Sequence, residues 1–166
     1  TETVILDLDG DTFYDPPLKK SEGSYSNGNR EGLWTTWYLN NMRKEESNFT
    51  QGKLDGGIIR WFENGNKSEE GTYNTGKQSG RWIWYFETGI KKEQTQFTDG
   101  QQNGLWLQWF KDGAKKSEKK FLNGERDSVW TSWYDNGNKK FQATYKSGKL
   151  NGSWTSWYQN GIIKEK

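Results

Sequence analysis

An aromatic residue recurs every 24 positions along this chain, and the register never slips. From Trp37 the step reaches Trp61, Tyr85, Trp109, Trp133 and Trp157, and one step back is Phe13. The adjacent column is as regular: Tyr14, Tyr38, Phe62, Phe86, Phe110, Tyr134 and Tyr158. A period of this size marks a modular architecture in which each unit buries its apolar surface against its neighbours. That constraint outweighs the length of 166 residues, which alone would suggest an ordinary globular domain.

The units read GLWTTWYLNNMRKEESNFTQGKLD from Gly32, GGIIRWFENGNKSEEGTYNTGKQS from Gly56 and GRWIWYFETGIKKEQTQFTDGQQN from Gly80. GLWLQWFKDGAKKSEKKFLNGERD follows from Gly104, and SVWTSWYDNGNKKFQATYKSGKLN from Ser128. This predicts a single repeat domain over 1–166. Full units occupy 32–55, 56–79, 80–103, 104–127 and 128–151, and a partial unit 152–166. Residues 1–31 form a degenerate capping unit, with Pro16-Pro17 where later units have Asn-Gly. Terminal units of a repeat array are atypical in this way.

Two turns punctuate each unit. The first is Asn64-Gly65, copied at Asn136-Gly137 and Asn160-Gly161 and varied to Asp112-Gly113. Such a dipeptide between β-prone runs is the strongest short hairpin signal, because both central residues can take positive φ. The second turn is built on Gly52, Gly76, Gly100, Gly124 and Gly148. Neither connection has room for a helical crossover, and no stretch is apolar at helical spacing. The expected fold is all-β: an elongated, single-layer antiparallel meander of tandem hairpins. Fourteen strands at about 4.8 Å spacing would span roughly 65 Å.

A two-residue turn at Asn64-Gly65 sets Phe62 opposite Lys67, Arg60 opposite Glu69 and Ile58 opposite Gly71. Opposed residues share a face. The Trp34, Trp82, Trp106, Trp130 and Trp154 column then joins the Tyr38, Phe62, Phe86, Phe110, Tyr134 and Tyr158 column. The column of Tyr25, Phe49, Tyr73, Phe97, Phe121 and Tyr145 joins them if the second turn sets Tyr73 against Trp82. Three aromatic rows make a structural spine on one face. The other face receives Trp37, Trp61, Tyr85, Trp109, Trp133 and Trp157, with Ile59, Ile83 and Leu107 beside them. A three-residue turn would reverse the assignment.

Composition fits a thin structure. Only 30% of residues are hydrophobic, yet eleven Trp, eight Tyr and eight Phe supply large rings to bury. That aromatic content argues against disorder. A net charge of +2 is too balanced for a general nucleic-acid binder, so no nucleic-acid partner is expected. No apolar run is long enough to span a membrane as a helix. Opening on Thr1 rather than Met fits a processed or trimmed product.

The unit pattern, G-x-W-x-x-W-Y-x-N-G-x-x-K-x-E-x-x-Y-x-x-G-K-x-x-G, resembles the MORN-repeat variant of many bacterial proteins, often labelled YwqK-type or antitoxin-component-like. The match covers residues 10–166. Departures are local: Asn41 for the turn glycine, Ile58 for the first Trp, Ser128 for the opening glycine and Phe141 for a charged residue. The resemblance implies a hairpin array for binding or scaffolding, with lipid binding or self-association as further roles.

Three constellations carry chemistry. A line of Trp on the second face is suited to stack sugars, bind a peptide or pack on another sheet. The basic columns (Lys19, Lys20, Arg43, Lys44, Lys67, Lys91, Lys92, Lys115, Lys116, Lys139 and Lys140) could attract anionic lipid or an acidic polymer. Neighbouring Glu45, Glu46, Glu69, Glu70, Glu93 and Glu118 are expected to neutralise them. Asp7, Asp9 and Asp11, with Gly10 and Asp15, are a calcium candidate that lacks EF-hand spacing, and no other metal or cofactor is expected.

The chain has no His and no Cys to act as base, nucleophile or soft metal ligand. Acidic residues recur as columns, and no position interrupts them as an active site would. The expected function is a non-catalytic module for protein–protein interaction or scaffolding. The alternative is a structural subunit that self-assembles through open sheet edges. A glycan or anionic lipid ligand ranks below both.

Overall fold

The computed structural model describes residues 20–166 together with the backbone of Glu2–Leu6. Phe13, Tyr14, Lys19, the Pro16-Pro17 turn and the Asp7, Asp9, Asp11 and Asp15 cluster lie outside the described residues. The chain divides into two compact units, Thr1–Gln78 and Ser79–Lys166.

The fold is all-β, an antiparallel meander of hairpins, with no helix among the described residues. The first unit holds β1 (Glu2–Leu6), β2 (Ser21–Ser26), β3 (Asn29–Trp37), β4 (Arg43–Thr50), β5 (Lys53–Trp61) and β6 (Lys67–Asn74). The second holds all but the first two residues of β7 (Lys77–Tyr85), then β8 (Lys91–Thr98), β9 (Gln101–Gln102) and β10 (Gly104–Trp109). It continues with β11 (Lys115–Leu122), β12 (Glu125–Trp133), β13 (Lys139–Lys146), β14 (Lys149–Trp157) and β15 (Ile163–Glu165). Within each unit the strands pair in chain order, and β9 extends the partner edge of β8.

The two-residue geometry expected at Asn64-Gly65 is found at the second turn instead. Positive φ at both central residues belongs to the second turn: Gln51 and Gly52 lie at 50° and 79°, Asn123 and Gly124 at 52° and 81°. These are two-residue type I′ loops, with Thr50 opposite Lys53 and Leu122 opposite Glu125. At Asn64-Gly65 only the glycine has positive φ, 84°. The loop there has three residues: Gly65 N–H donates to Phe62 C=O at 2.9 Å, and Phe62 N–H to Asn66 C=O at 2.8 Å. Asn is used for its side chain instead. Asn64 Oδ1 accepts from Asn66 N–H at 3.0 Å, as Asp112 Oδ1 does from Ala114 N–H at 2.9 Å. At the variant Asn41, the Asn itself takes the positive φ, 62°.

A bulge then restores the register. Trp61 opposes Lys67 while Arg60 opposes Glu69, so Ser68 is an extra residue. Phe62 therefore does not face Lys67. Arg60–Glu69 and Ile58–Gly71 nevertheless pair as a two-residue loop would have them, because the odd loop residue and the odd bulge residue cancel. The same bulge recurs at Lys44, Lys92, Lys116, Lys140 and Lys164.

The second connection carries a larger shift. Ser47 opposes Ile58, whereas Phe49 opposes Leu54, leaving two surplus residues on β5. The opening residue of each repeat absorbs the bend, with φ of 110° at Gly56, 114° at Gly104 and 58° at Ser128. So the Phe49 column does not oppose the next Trp directly, contrary to the expected pairing of the Tyr73 and Trp82 type. The rings meet diagonally and still share a face. Tyr25, Trp34 and Phe49 follow at centroid spacings of 5.0 and 6.4 Å in the first unit. Trp106, Phe121, Trp130 and Tyr145 follow at 5.6, 5.1 and 5.0 Å in the second.

This ladder is the core. Trp34, Ile58, Trp82, Trp130 and Phe121 are buried on it. The surplus residues also leave the Trp indoles aimed at backbone: Trp34 Nε1 donates to Ser24 C=O at 3.1 Å, and Trp130 Nε1 to Lys120 C=O at 2.9 Å. Between successive Trp residues sits a column of small side chains, Gly23, Ser47, Gly71, Thr95 and Ala143. The space is tight in places, since a Cβ on Gly23 would fall within the Trp34 ring. The Tyr38 column is engaged differently, by hydroxyl bonds to the following repeat. Tyr38 Oη donates to Trp61 C=O at 2.7 Å and Tyr134 Oη to Trp157 C=O at 2.8 Å.

Candidate functional site

Strand alternation places the Trp37 column on the face opposite the ladder. In the second unit that face presents Leu105, Leu107 and Trp109 from β10, and Val129, Thr131 and Trp133 from β12. Trp37, Trp61, Tyr85, Trp109, Trp133 and Trp157 are all half-buried. Their cover is a thin layer of charged side chains. Lys115 Nζ lies 5.7 Å from the Trp133 ring, and Lys139 Nζ 5.8 Å from Trp157.

The bulge explains how this layer is held. It sets the first cation of each basic pair on the same face as the residue three positions later. Arg43 then meets Glu46 at 3.0 Å, Lys67 meets Glu70 at 2.6 Å and Lys115 meets Glu118 at 2.7 Å. Lys139 Nζ finds Gln142 Oε1 at 3.1 Å. On this face the expected neutralisation is found at Arg43, Lys67 and Lys115, whereas Lys139 meets a neutral amide. The bulge residue itself, the second cation of each pair, goes to the ladder face. Lys44, Lys116 and Lys140 lie 5.6, 5.8 and 5.5 Å from the rings of Tyr38, Phe110 and Tyr134.

On the ladder face of the first unit Arg60 is neutralised. Arg60 Nε and Nη1 donate to Glu45 at 2.7 Å and Glu69 at 2.8 Å. Burial works to lower the Arg60 pKa, but the two carboxylate hydrogen bonds outweigh it and the net shift is upward.

Sequence reasoning missed two features. Leu105 and Val129, two residues outward along the strands, are 49% and 46% exposed and extend the Trp-row face as an apolar strip. Counting back by two from Leu107 and Thr131 would have found them. The second is a break in the small-residue column. Where other repeats have Ser, Gly, Thr or Ala, β11 carries Lys119.

The family model for the MORN repeat variant matches residues 78–99, 126–147 and 150–166. Those three segments are similar to the MORN repeat variant. No curated protein matches the chain at a significant level. The second MORN-variant segment spans the β12–β13 hairpin, with Trp130 on the ladder and Trp133 on the opposite face. MORN repeats serve generally as protein or membrane-lipid interaction modules and are not a known enzyme family. Among the described residues no cluster of His, Cys, Asp or Glu could hold a metal ion.

Proposed function

We propose that this chain is a non-catalytic repeat module that presents its Trp-row face to a protein partner, as a docking or scaffolding surface. The observation that carries the reading is the make-up of that face in the second unit. Exposed Leu105 and Val129 flank the half-buried Trp109 and Trp133, and apolar strands alternate with the ion-paired Lys115–Glu118 strand. Large rings ringed by polar groups are the composition of a protein-binding hot spot. The opposite face spends its rings on the ladder that joins one hairpin to the next.

Site-specific photocrosslinking in living cells tests this. A crosslinker at Val129 is expected to give a discrete adduct with a partner protein, and one at Arg126, on the ladder face, is not. Adducts between copies of this chain would favour self-assembly instead. No adduct from position 129, or equal yields from both positions, contradicts the proposal.

A further inference from the structure

The ladder face of the second unit contains a groove of about 390 Å³ whose charge contrasts with the ion-paired surroundings of Arg60. Its walls include Lys116, Lys119, Arg126 and Lys140, together with Trp130 and Tyr145. None of the four cations makes an ion pair among the described residues. The cause is legible in the columns. Glu45, Glu69 and Glu93 occupy the position that follows the bulge, but the next two repeats carry Ser117 and Phe141 there. Glu118 does not compensate, because it pairs with Lys115 at 2.7 Å on the other face.

Lys119 concentrates the effect. Its ammonium lies 4.4 Å from the Trp106 ring and 5.4 Å from the Trp130 ring, in the column that is otherwise small. Burial pulls its pKa down, and Arg126 and Lys116 push the same way. Glu93 opposes them and acts more strongly than either cation; Gln108 Nε2 donates to it at 3.1 Å. No carboxylate is among the residues that line the groove. Ser132 adds a hydroxyl donor, Ser117 O–H being already donated to Gln108 Oε1 at 2.8 Å, and the aromatic walls offer a flat apolar surface.

We propose that this groove is a binding site for a small soluble organic phosphate, its phosphoryl group held by Lys116, Lys119 and Lys140 and its ring or apolar part laid against Trp130 and Tyr145. Ammonium groups bind phosphate as point charges, and hydroxyls complete the oxyanion's hydrogen bonds. The volume is at the small end of the range for ligand sites. The four cations lie on the ladder side of the sheet, and Trp133 of the Trp row also borders the groove.

The test uses phenyl phosphate as probe, with phenol and inorganic phosphate as its halves, followed by amide NMR shifts on the full chain. Saturable shifts at residues 116–119 and 130–141 are expected, tighter for phenyl phosphate than for either half. Lys119→Thr, which installs the residue found at Thr95, should weaken binding about tenfold, as should the exposed-site change Lys140→Gln. Lys44→Gln, at a bulge position in the first unit, should leave it within about twofold. Non-saturable shifts, binding by phenol alone, or indifference to Lys119→Thr and Lys140→Gln would overturn the proposal. So would binding to phosphatidic acid vesicles without binding to the soluble probe.

Discussion

Trp130 and Trp106 hold equivalent places on the ladder, yet only one satisfies its indole. Trp130 Nε1 donates to Lys120 C=O at 2.9 Å, whereas Trp106 Nε1 is buried with no hydrogen-bond partner. The carbonyl in the matching place, Gln96 C=O, accepts from Asn103 N–H at 2.8 Å. Replacing either Trp by Phe removes the same ring atoms, so the loss of apolar burial is similar in kind. The polar terms have opposite signs. Trp130→Phe deletes a hydrogen bond with a net contribution of about 1 kcal/mol. Trp106→Phe deletes a buried orphan donor, whose presence costs about 1–3 kcal/mol. Trp130→Phe should therefore be the more destabilising by about 2 kcal/mol or more. Urea unfolding followed by far-UV circular dichroism measures the difference without relying on Trp emission. Equal midpoints, or a greater loss from Trp106→Phe, would refute the reasoning.

Other outcomes follow from the turns and charges. Asn160 acts through Oδ1, which accepts from Ile162 N–H at 3.1 Å, so Asn160→Asp should be near neutral while Asn160→Gly loses about 1 kcal/mol; a gain from Gly would restore the type I′ reading. Arg60→Met should cost about 1–3 kcal/mol by leaving Glu45 and Glu69 facing one another, and an unchanged melting temperature would remove Arg60 from the account. Lys119 has a folded pKa below its ordinary value of 10.5, so between the lowered folded value and 10.5 the unfolded chain binds more protons. Stability of the wild type measured against Lys119→Thr should therefore rise with pH across that window, and a flat difference would contradict the burial assigned to Lys119.

Most of the fold was legible because the period fixes hairpins whatever their turn type. The columns gave the ladder, since Trp34 and Phe49 share a face under either register. What sequence could not supply was the compensation. An Asn-Gly pair reads as a two-residue turn, and nothing in Phe62-Glu63-Asn64-Gly65-Asn66 announces that a three-residue loop will be balanced by a bulge at Ser68. The bulge also decides which Lys of a pair meets a carboxylate. Without it, Lys115 and Lys116 look alike; with it, one pairs with Glu118 and the other faces an unneutralised groove. Lys119 was visible as an outlier all along, but only against a small-residue column whose purpose, making room between Trp rings, depends on the real strand register.

The division of labour between the two faces is the centre of this account, and Trp133 tests it most directly. Trp133→Thr keeps a β-prone residue on the strand while removing the ring from the Trp-row face. Crosslinking yield from position 129 should fall at least about tenfold, as loss of a hot-spot ring implies, while the circular dichroism spectrum and cooperative melt persist. Unchanged yield with the fold intact would contradict the assignment of this face to partner binding.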